Sequence, residues 1–285
     1  MIVNTLKLGE PNFPGLLAQI PYPPQSIFWQ GQPLESWLDR PKVAVVGSRK
    51  ITPYGRTVTA KLVTELARAG VVTISGLAYG VDVAAHQTAL AAGGTTVAVL
   101  PGGIDKIYPS GHTNIARQII EQGSLITEYP AGTESFKSNF IARNRIISGL
   151  ADVLLITEAA LKSGSLHTAR FALEQGKTVM TVPGNITSPF SEGCNNLIKS
   201  GAIPVTSADD VFFALKINTT RNIPQTIVGT PDEQLVFSFI REGITAQEEI
   251  AVTSKLEGAR LASILTMLEL SGHIRPVGGG NWVAA

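Results

Sequence analysis

The segment "FKSNFIARNRIISGLAD" (136–152) places Lys137, Arg143 and Arg145 around Phe140 and Asn144: three cations, a ring and an amide within nine residues. Cations bind phosphates, and aromatic faces stack on unpaired bases. A structural alternative pairs Arg143 and Arg145 with Glu128 or Glu158 and makes Phe140 core. The two arginines lie two apart and cannot share one helical face, so one of them is open to a structural role. A second stretch, "KVAVVGSRKITPYGR" (42–56), runs from an apolar strand into Gly47, Ser48 and Arg49. Thr52 and Pro53 follow as helix N-cap and first-turn proline. A strand, a glycine and a helix start make an anion site. In a third stretch, "KSGSLHTARFALEQG" (162–176), Ser163, Gly164 and Ser165 open a helix after a strand end. Their N–H groups can face an anion, and Ser163 and Thr168 add hydroxyls. An ordinary helix cap would look the same.

Several other chemistries lack their residues. A dinucleotide fingerprint needs two further glycines and an acid at the end of the second strand. Here an arginine stands in the first turn, and the second strand ends "TISGLAYG" without a carboxylate. No Walker loop, serine elbow, HExxH or CxxC occurs. Asp82 and His86 in "GVDVAAH" are one helical turn apart, but no third ligand is evident. A first-turn acid and a packed histidine account for both. Asp105 in "PGGIDKIYP" is expected to form a turn. The one cysteine, Cys194, rules out an internal disulfide and a cysteine-rich zinc site. No cofactor, metal site or catalytic residue is expected.

These residues need a scaffold. A hydrophobic content of 44% with 16% charged residues describes a soluble, globular and well-cored chain. The net charge of +1 means that any polyanion site is local. No apolar run approaches a membrane span, and the N-terminus is neither a basic leader nor an apolar h-region, so a cytoplasmic protein is expected. Residues 1–41 are proline-rich and read as an irregular lead-in, pinned to the core by Phe28, Trp29 and Trp37. From 42 to 215, short β-branched runs alternate with helical stretches. Strands are expected at 43–46, 71–75, 95–100, 124–128, 152–157, 177–182 and 202–205. Runs apolar throughout are buried on both faces, which implies a mostly parallel sheet. The fold class is therefore α/β, an extended Rossmann-like, doubly wound sheet. Ligands of such sheets sit beyond the carboxyl ends of the strands, where "GSR", "SGLAYG", "PGGID", "EYPAG" and "VPGN" lie.

Residues 216–230 are polar and aperiodic and read as a linker. Residues 231–285 give three helical patterns and a two-stranded wing around Gly278 to Gly280, a small C-terminal winged-helix domain. Four cations against seven acids make that domain −3, which leaves +4 for residues 1–230. Its expected recognition helix, near 258–270, holds one cation, Arg260, and one acid, Glu269. A duplex reader is basic on that face. We expect a protein-contact or accessory module instead.

The run "VVGSR", "SGLAYGVDVAAH", "AVLPGGIDKIYP", "FIARNRIISGLAD", "SGSLHTARFALEQGKTVMTVPG" and "GCNNLIKSGA" resembles the DprA/Smf family, the DNA-processing proteins of natural transformation. The resemblance covers about 42–215 in unbroken order, and the tail is similar to the family's winged helix. It implies a homodimer without established enzymatic activity that binds and protects single-stranded DNA and loads RecA recombinase. Carried onto this chain, it assigns Gly47, Ser48 and Arg49 to backbone phosphates and Lys137 as a second cation. It makes Phe140, Arg143, Asn144 and Arg145 the floor, and adds Ser163, Gly164 and Ser165. Ile141 replaces the proline of the usual "FPxRNR", and His167 replaces an apolar residue. Many members carry a small helical domain before the core, whereas about forty residues precede it here. The segment "LIKSGAIPVTSADDVFFAL" (197–215) is the candidate dimer surface. Two alternatives stand beside this one. A nucleotide-sensing or nucleotide-cleaving relative would use the "PGGID" and "SGS" loops with Asp82 or Glu158 as the acid. A transcriptional regulator would pair a sensory α/β domain with the winged helix.

Overall fold

In a computed structural model the chain forms two compact units, Met1–Asn218 and Thr219–Ala285. The structure describes residues 3–217, 227 and 229–284; most of the expected linker lies outside them. The first unit begins with β1 (Asn4–Lys7), α1 (Gly15–Ala18) and β2 (Ser26–Gly31). Alternation then follows: β3 (Lys42–Val46), α2 (Pro53–Arg68), β4 (Val72–Ser75), α3 (Val81–Ala91) and β5 (Thr96–Val99). It continues through α4 (Thr113–Gln122), β6 (Ser124–Thr127), α5 (Lys137–Leu150), β7 (Val153–Ile156) and α6 (Ser165–Glu174). β8 (Thr178–Thr181), α7 (Glu192–Lys199), β9 (Ile203–Pro204) and α8 (Ala208–Ala214) close the unit.

The nine strands form one sheet in the order β1-β2-β6-β5-β4-β3-β7-β8-β9. From β6 to β9 every pairing is parallel. β3 pairs with β4 on one side and β7 on the other, so the strand order reverses there. A crevice opens beyond the carboxyl ends at such a switch point. The strands from β3 to β7 are buried along their whole length. On one face Ala44, Val46, Ile74 and Leu154 meet Leu17, Trp37, Ile146, Ile147 and Leu150. On the other Val43, Val45 and Leu155 meet Leu62, Leu66, Ala85, Val211 and Phe212. Each fully buried aliphatic side chain contributes about 1.5–3 kcal/mol.

The described part of the lead-in, residues 3–41, is not irregular throughout. β1 and β2 form an antiparallel pair, and β2 joins β6 antiparallel, so the lead-in extends the sheet. Trp37 is fully buried and donates its indole N–H to Ser124 Oγ at 3.2 Å. Trp29 is half-buried and packs against the same core.

The second unit is a winged helix: α9 (Pro231–Arg241), α10 (Gln247–Ser254), α11 (Gly258–Leu270) and the antiparallel pair β10 (Ile274–Gly278) and β11 (Asn281–Ala284). Its core joins Val236, Phe237, Ile250, Leu261, Leu265 and Ile274. Among the described residues no helix is long and apolar enough to cross a membrane.

Candidate nucleic-acid interface

The turn after β3 is set by close backbone approach. Ser48 N donates to Glu158 O at 2.7 Å, beyond the end of β7, and Ser48 O accepts from Val81 N at 3.1 Å. A Cβ on Gly47 would lie 2.6 Å from Val81 Cγ2, and one on Gly80 would lie 2.1 Å from Ser48 O. Gly80 also has φ +83°, a conformation that suits glycine. The clamp turns Arg49 and Lys50 outward, and both are exposed.

Helix α5 supplies the facing wall. Its buried stripe is Arg143, Ile146, Ile147 and Leu150 at i, i+3, i+4 and i+7. Phe140 and Lys137 continue that line toward the helix start, where Lys137 is exposed. Arg143 is 3% exposed and donates Nη1 to Gly76 O at 2.7 Å and to Val99 O. Asp82 accepts from Gly76 N at 3.1 Å. Burial holds the Arg143 guanidinium down at about 10, opposed by the charge of Asp82. Burial likewise pushes the Asp82 carboxyl up, opposed by Arg143. Arg143 thus fastens the ends of β4 and β5 beneath the site.

Arg145 makes a two-pronged pair with Glu128 at 2.9 and 2.6 Å, each side chain 16% exposed. The structural alternative for these arginines holds for Arg145, which pairs with Glu128, while the floor assigned by resemblance keeps Arg143 in the lining. Both guanidinium groups are engaged with protein atoms, and Arg143 lines the site only from below.

Between this wall, the turn after β3 and the start of α6 lies a cavity of about 350 Å³. Nine of the eleven residues expected from sequence line it; Lys137 and Arg145 do not. Ser163 Oγ and Ser165 Oγ sit 2.7 Å apart, and Gly164 is exposed between them. Lys50, Lys162 and His167 also line the cavity, and all three are exposed. The lysines directly flank "GSR" and "SGS", a signal present in the sequence and unused there. The acid in the lining, Asp82, is buried. Above the floor the Arg49 guanidinium lies 5.2 Å from the Phe140 ring centroid, a cation–π contact. Tyr108 meets the same ring edge-on at 5.3 Å.

The start of α2 differs from its expectation as an open anion site. Glu158, 3% exposed, accepts from Thr52 N at 2.8 Å and from the Thr52 hydroxyl. A Cβ on Gly55 would lie 2.6 Å from its Oε2. The helix start therefore holds a carboxylate from its own chain. His86 is buried with Nδ1 2.7 Å from Thr96 Oγ1, and burial lowers its pKa to about 3. Asp105 accepts from Gly132 N at 2.8 Å, in a loop contact. Among the described residues no group of three His, Cys, Asp or Glu side chains could hold a metal ion.

Fold and site define an extended Rossmann-like protein with a basic, aromatic-floored groove at the switch point and an appended winged helix. The family model for DNA recombination-mediator protein A matches residues 4–216, and that for the DprA winged helix domain matches 221–280. The chain belongs to the DNA recombination-mediator protein A family, DprA/Smf. Protein Smf of Escherichia coli is 38% identical over 279 residues, 94% of this chain and 73% of that protein. The DNA processing protein DprA of Mycobacterium tuberculosis is 38% identical over 246 residues, 84% of this chain. The match spans 63% of that relative's length, under two thirds. The X-ray structure of DprA from Streptococcus pneumoniae superposes with a TM-score of 0.71 at 38% identity, over 74% of this chain and 73% of that one. A Helicobacter pylori DNA processing protein A structure, which concerns that protein's single-stranded DNA binding mode, gives 0.67 at 33% identity, over 75% and 95%.

Proposed function

We propose that this chain binds single-stranded DNA in the groove at the carboxyl edge of its sheet, as a recombination mediator and not a catalyst. Arg49, Lys50, Lys162 and Lys137 hold successive phosphates, and Phe140 stacks on a base. The Gly47–Ser48 and Ser163–Ser165 turns add backbone and hydroxyl contacts. The observation that carries this is Arg49, exposed and lying over Phe140 in a cavity whose exposed ionisable side chains are all basic. The closed start of α2 supports it, because a free nucleotide of the usual Rossmann kind needs those N–H groups. The single-strand binding named for the Helicobacter pylori relative supports it too.

In the same proposal the protein protects incoming DNA and loads RecA recombinase during natural transformation, in the cytoplasm and as a homodimer. The proposed dimer face is β9 and α8, where Ile203 is 45% and Phe213 88% exposed. The test is fluorescence anisotropy of labelled oligothymidine across several salt concentrations, with a mononucleotide competitor. Salt-sensitive binding, weakened by Arg49→Ala and indifferent to mononucleotide, is expected. Absence of binding, or full competition by mononucleotide, overturns the proposal.

A further inference from the structure

Six aromatic side chains are exposed among the described residues. Four of them follow successive neighbours in the sheet: Tyr54 after β3, Tyr79 after β4, Tyr108 after β5 and Phe136 after β6. They are 48, 54, 50 and 63% exposed. Rings left half in water at one edge forgo burial, which favours a contact surface over packing. Two of the tyrosines have other attachments. Tyr54 donates its hydroxyl to Pro183 O at 2.7 Å. Tyr79 stands edge-on to His112, centroids 4.9 Å apart. The Tyr108 hydroxyl has no hydrogen bond among the described residues, and its ring contact is with Phe140.

Arg49, Phe140 and Tyr108 therefore form a row, with 5.2 Å from guanidinium to ring and 5.3 Å from ring to ring. The two rings are inclined at 75°, so the edge of one meets the face of the other. We propose that Tyr108 is a second base-stacking position, which carries a bound strand past Phe140 toward the β5–β6 side of the edge. This rests on the single-strand reading above. A strand with a phosphate at Arg49 and a base on Phe140 brings its neighbouring nucleotide to Tyr108. Stacking tolerates any base, because every base has a π-face.

The test measures oligothymidine binding to the full chain and its Tyr108 variants at several salt concentrations. Tyr108→Ala is expected to weaken binding roughly five- to a hundredfold. Its salt slope should match wild type, since no charge is lost. Its thermal midpoint should also stay near wild type. Tyr108→Phe should bind like wild type. Tyr108→Trp should keep affinity, and its added fluorescence should be quenched by oligothymidine. Wild-type binding that Tyr108→Ala leaves unchanged, or a Tyr108→Trp signal blind to DNA, overturns this assignment alone. No wild-type binding overturns the single-strand reading and this assignment with it. Should Tyr108→Ala fail to fold, the Trp variant decides.

Discussion

The turn after β3 and the middle of α5 each bring an arginine to one cavity, and the protein treats the two differently. Arg49 is exposed, and its near partner is a ring. Arg143 is buried and held by two backbone carbonyls. Residue type alone does not make a phosphate contact; N–H groups already given to Gly76 O, Val99 O and Asn144 Oδ1 are not available to one. In this chain the two arginines of "RNR" are engaged with protein atoms, whereas the arginine of "GSR" is exposed.

The sharpest way to break that comparison is Arg143→Ala. It leaves Asp82 buried beside an empty space and strips Gly76 O and Val99 O of their donor. We expect a loss of about 3–5 kcal/mol in denaturant unfolding. Arg143→Lys should recover little, because one ammonium does not reproduce the fork. A stable Arg143→Ala protein that had lost only DNA binding would place Arg143 with Arg49 after all.

Acid probes the same buried layer. Burial lowers the His86 ring from the ordinary imidazole value of 6.5 to about 3 in the fold. Between these values the unfolded chain takes up a proton that the folded chain refuses. His86 stability is thus complete above about 6.5 and declines as pH falls toward 3. Asp82 opposes this in part, since burial raises its carboxyl and protonation relieves it. His86→Gln should flatten the decline between pH 6.5 and 4 by roughly 1 kcal/mol or more. Equal slopes in the two proteins would remove His86 as the cause.

Much of the scaffold was legible from pattern. β3 to β8 are short apolar runs, because both faces of the sheet are covered. β1 and β2 were not legible: "NTLK" and "SIFWQG" are only partly buried, and prolines surround them. The burial of Arg143 was readable in principle, since it occupies the apolar position of the stripe that continues to Leu150. The pair of Arg145 with Glu128 was one of the pairings open from sequence, but nothing there selected it, and Thr52 as the partner of Glu158 was not readable. Glu128 lies 17 residues from Arg145, and Thr52 lies 106 from Glu158, distances that only the sheet order closes. Tyr108 carries no motif of its own; its meaning comes from meeting Phe140.

A smaller effect separates Arg49 from the third site arginine, Arg145. Arg49→Ala should lower the salt slope of oligothymidine binding by about 0.7, the share of one phosphate contact on a single strand. Its unfolding should be unaltered, because the side chain is exposed. Arg145→Gln should do the reverse: the slope stays, and the lost pair with Glu128 costs about 1–3 kcal/mol of stability. If both variants shift the slope alike, the division between groove surface and foundation fails.

The smallest effect is expected in the winged helix, and it sharpens the comparison from outside the groove. Arg260 is the cation of α11, and its Nε donates to Asp232 Oδ2 at 2.7 Å. It is thus engaged like Arg145, yet it remains 65% exposed, so the pair is screened and worth under about 1 kcal/mol. Arg260→Ala should barely move the unfolding of this unit. A recognition helix that reads duplex DNA would behave otherwise. The same substitution would then weaken duplex binding and lower its salt slope by about 0.9. With Glu269 on the same helix and a net −3 from residue 231 onward, the face has little to offer phosphates. Duplex affinity of the full chain should therefore be the same with and without Arg260.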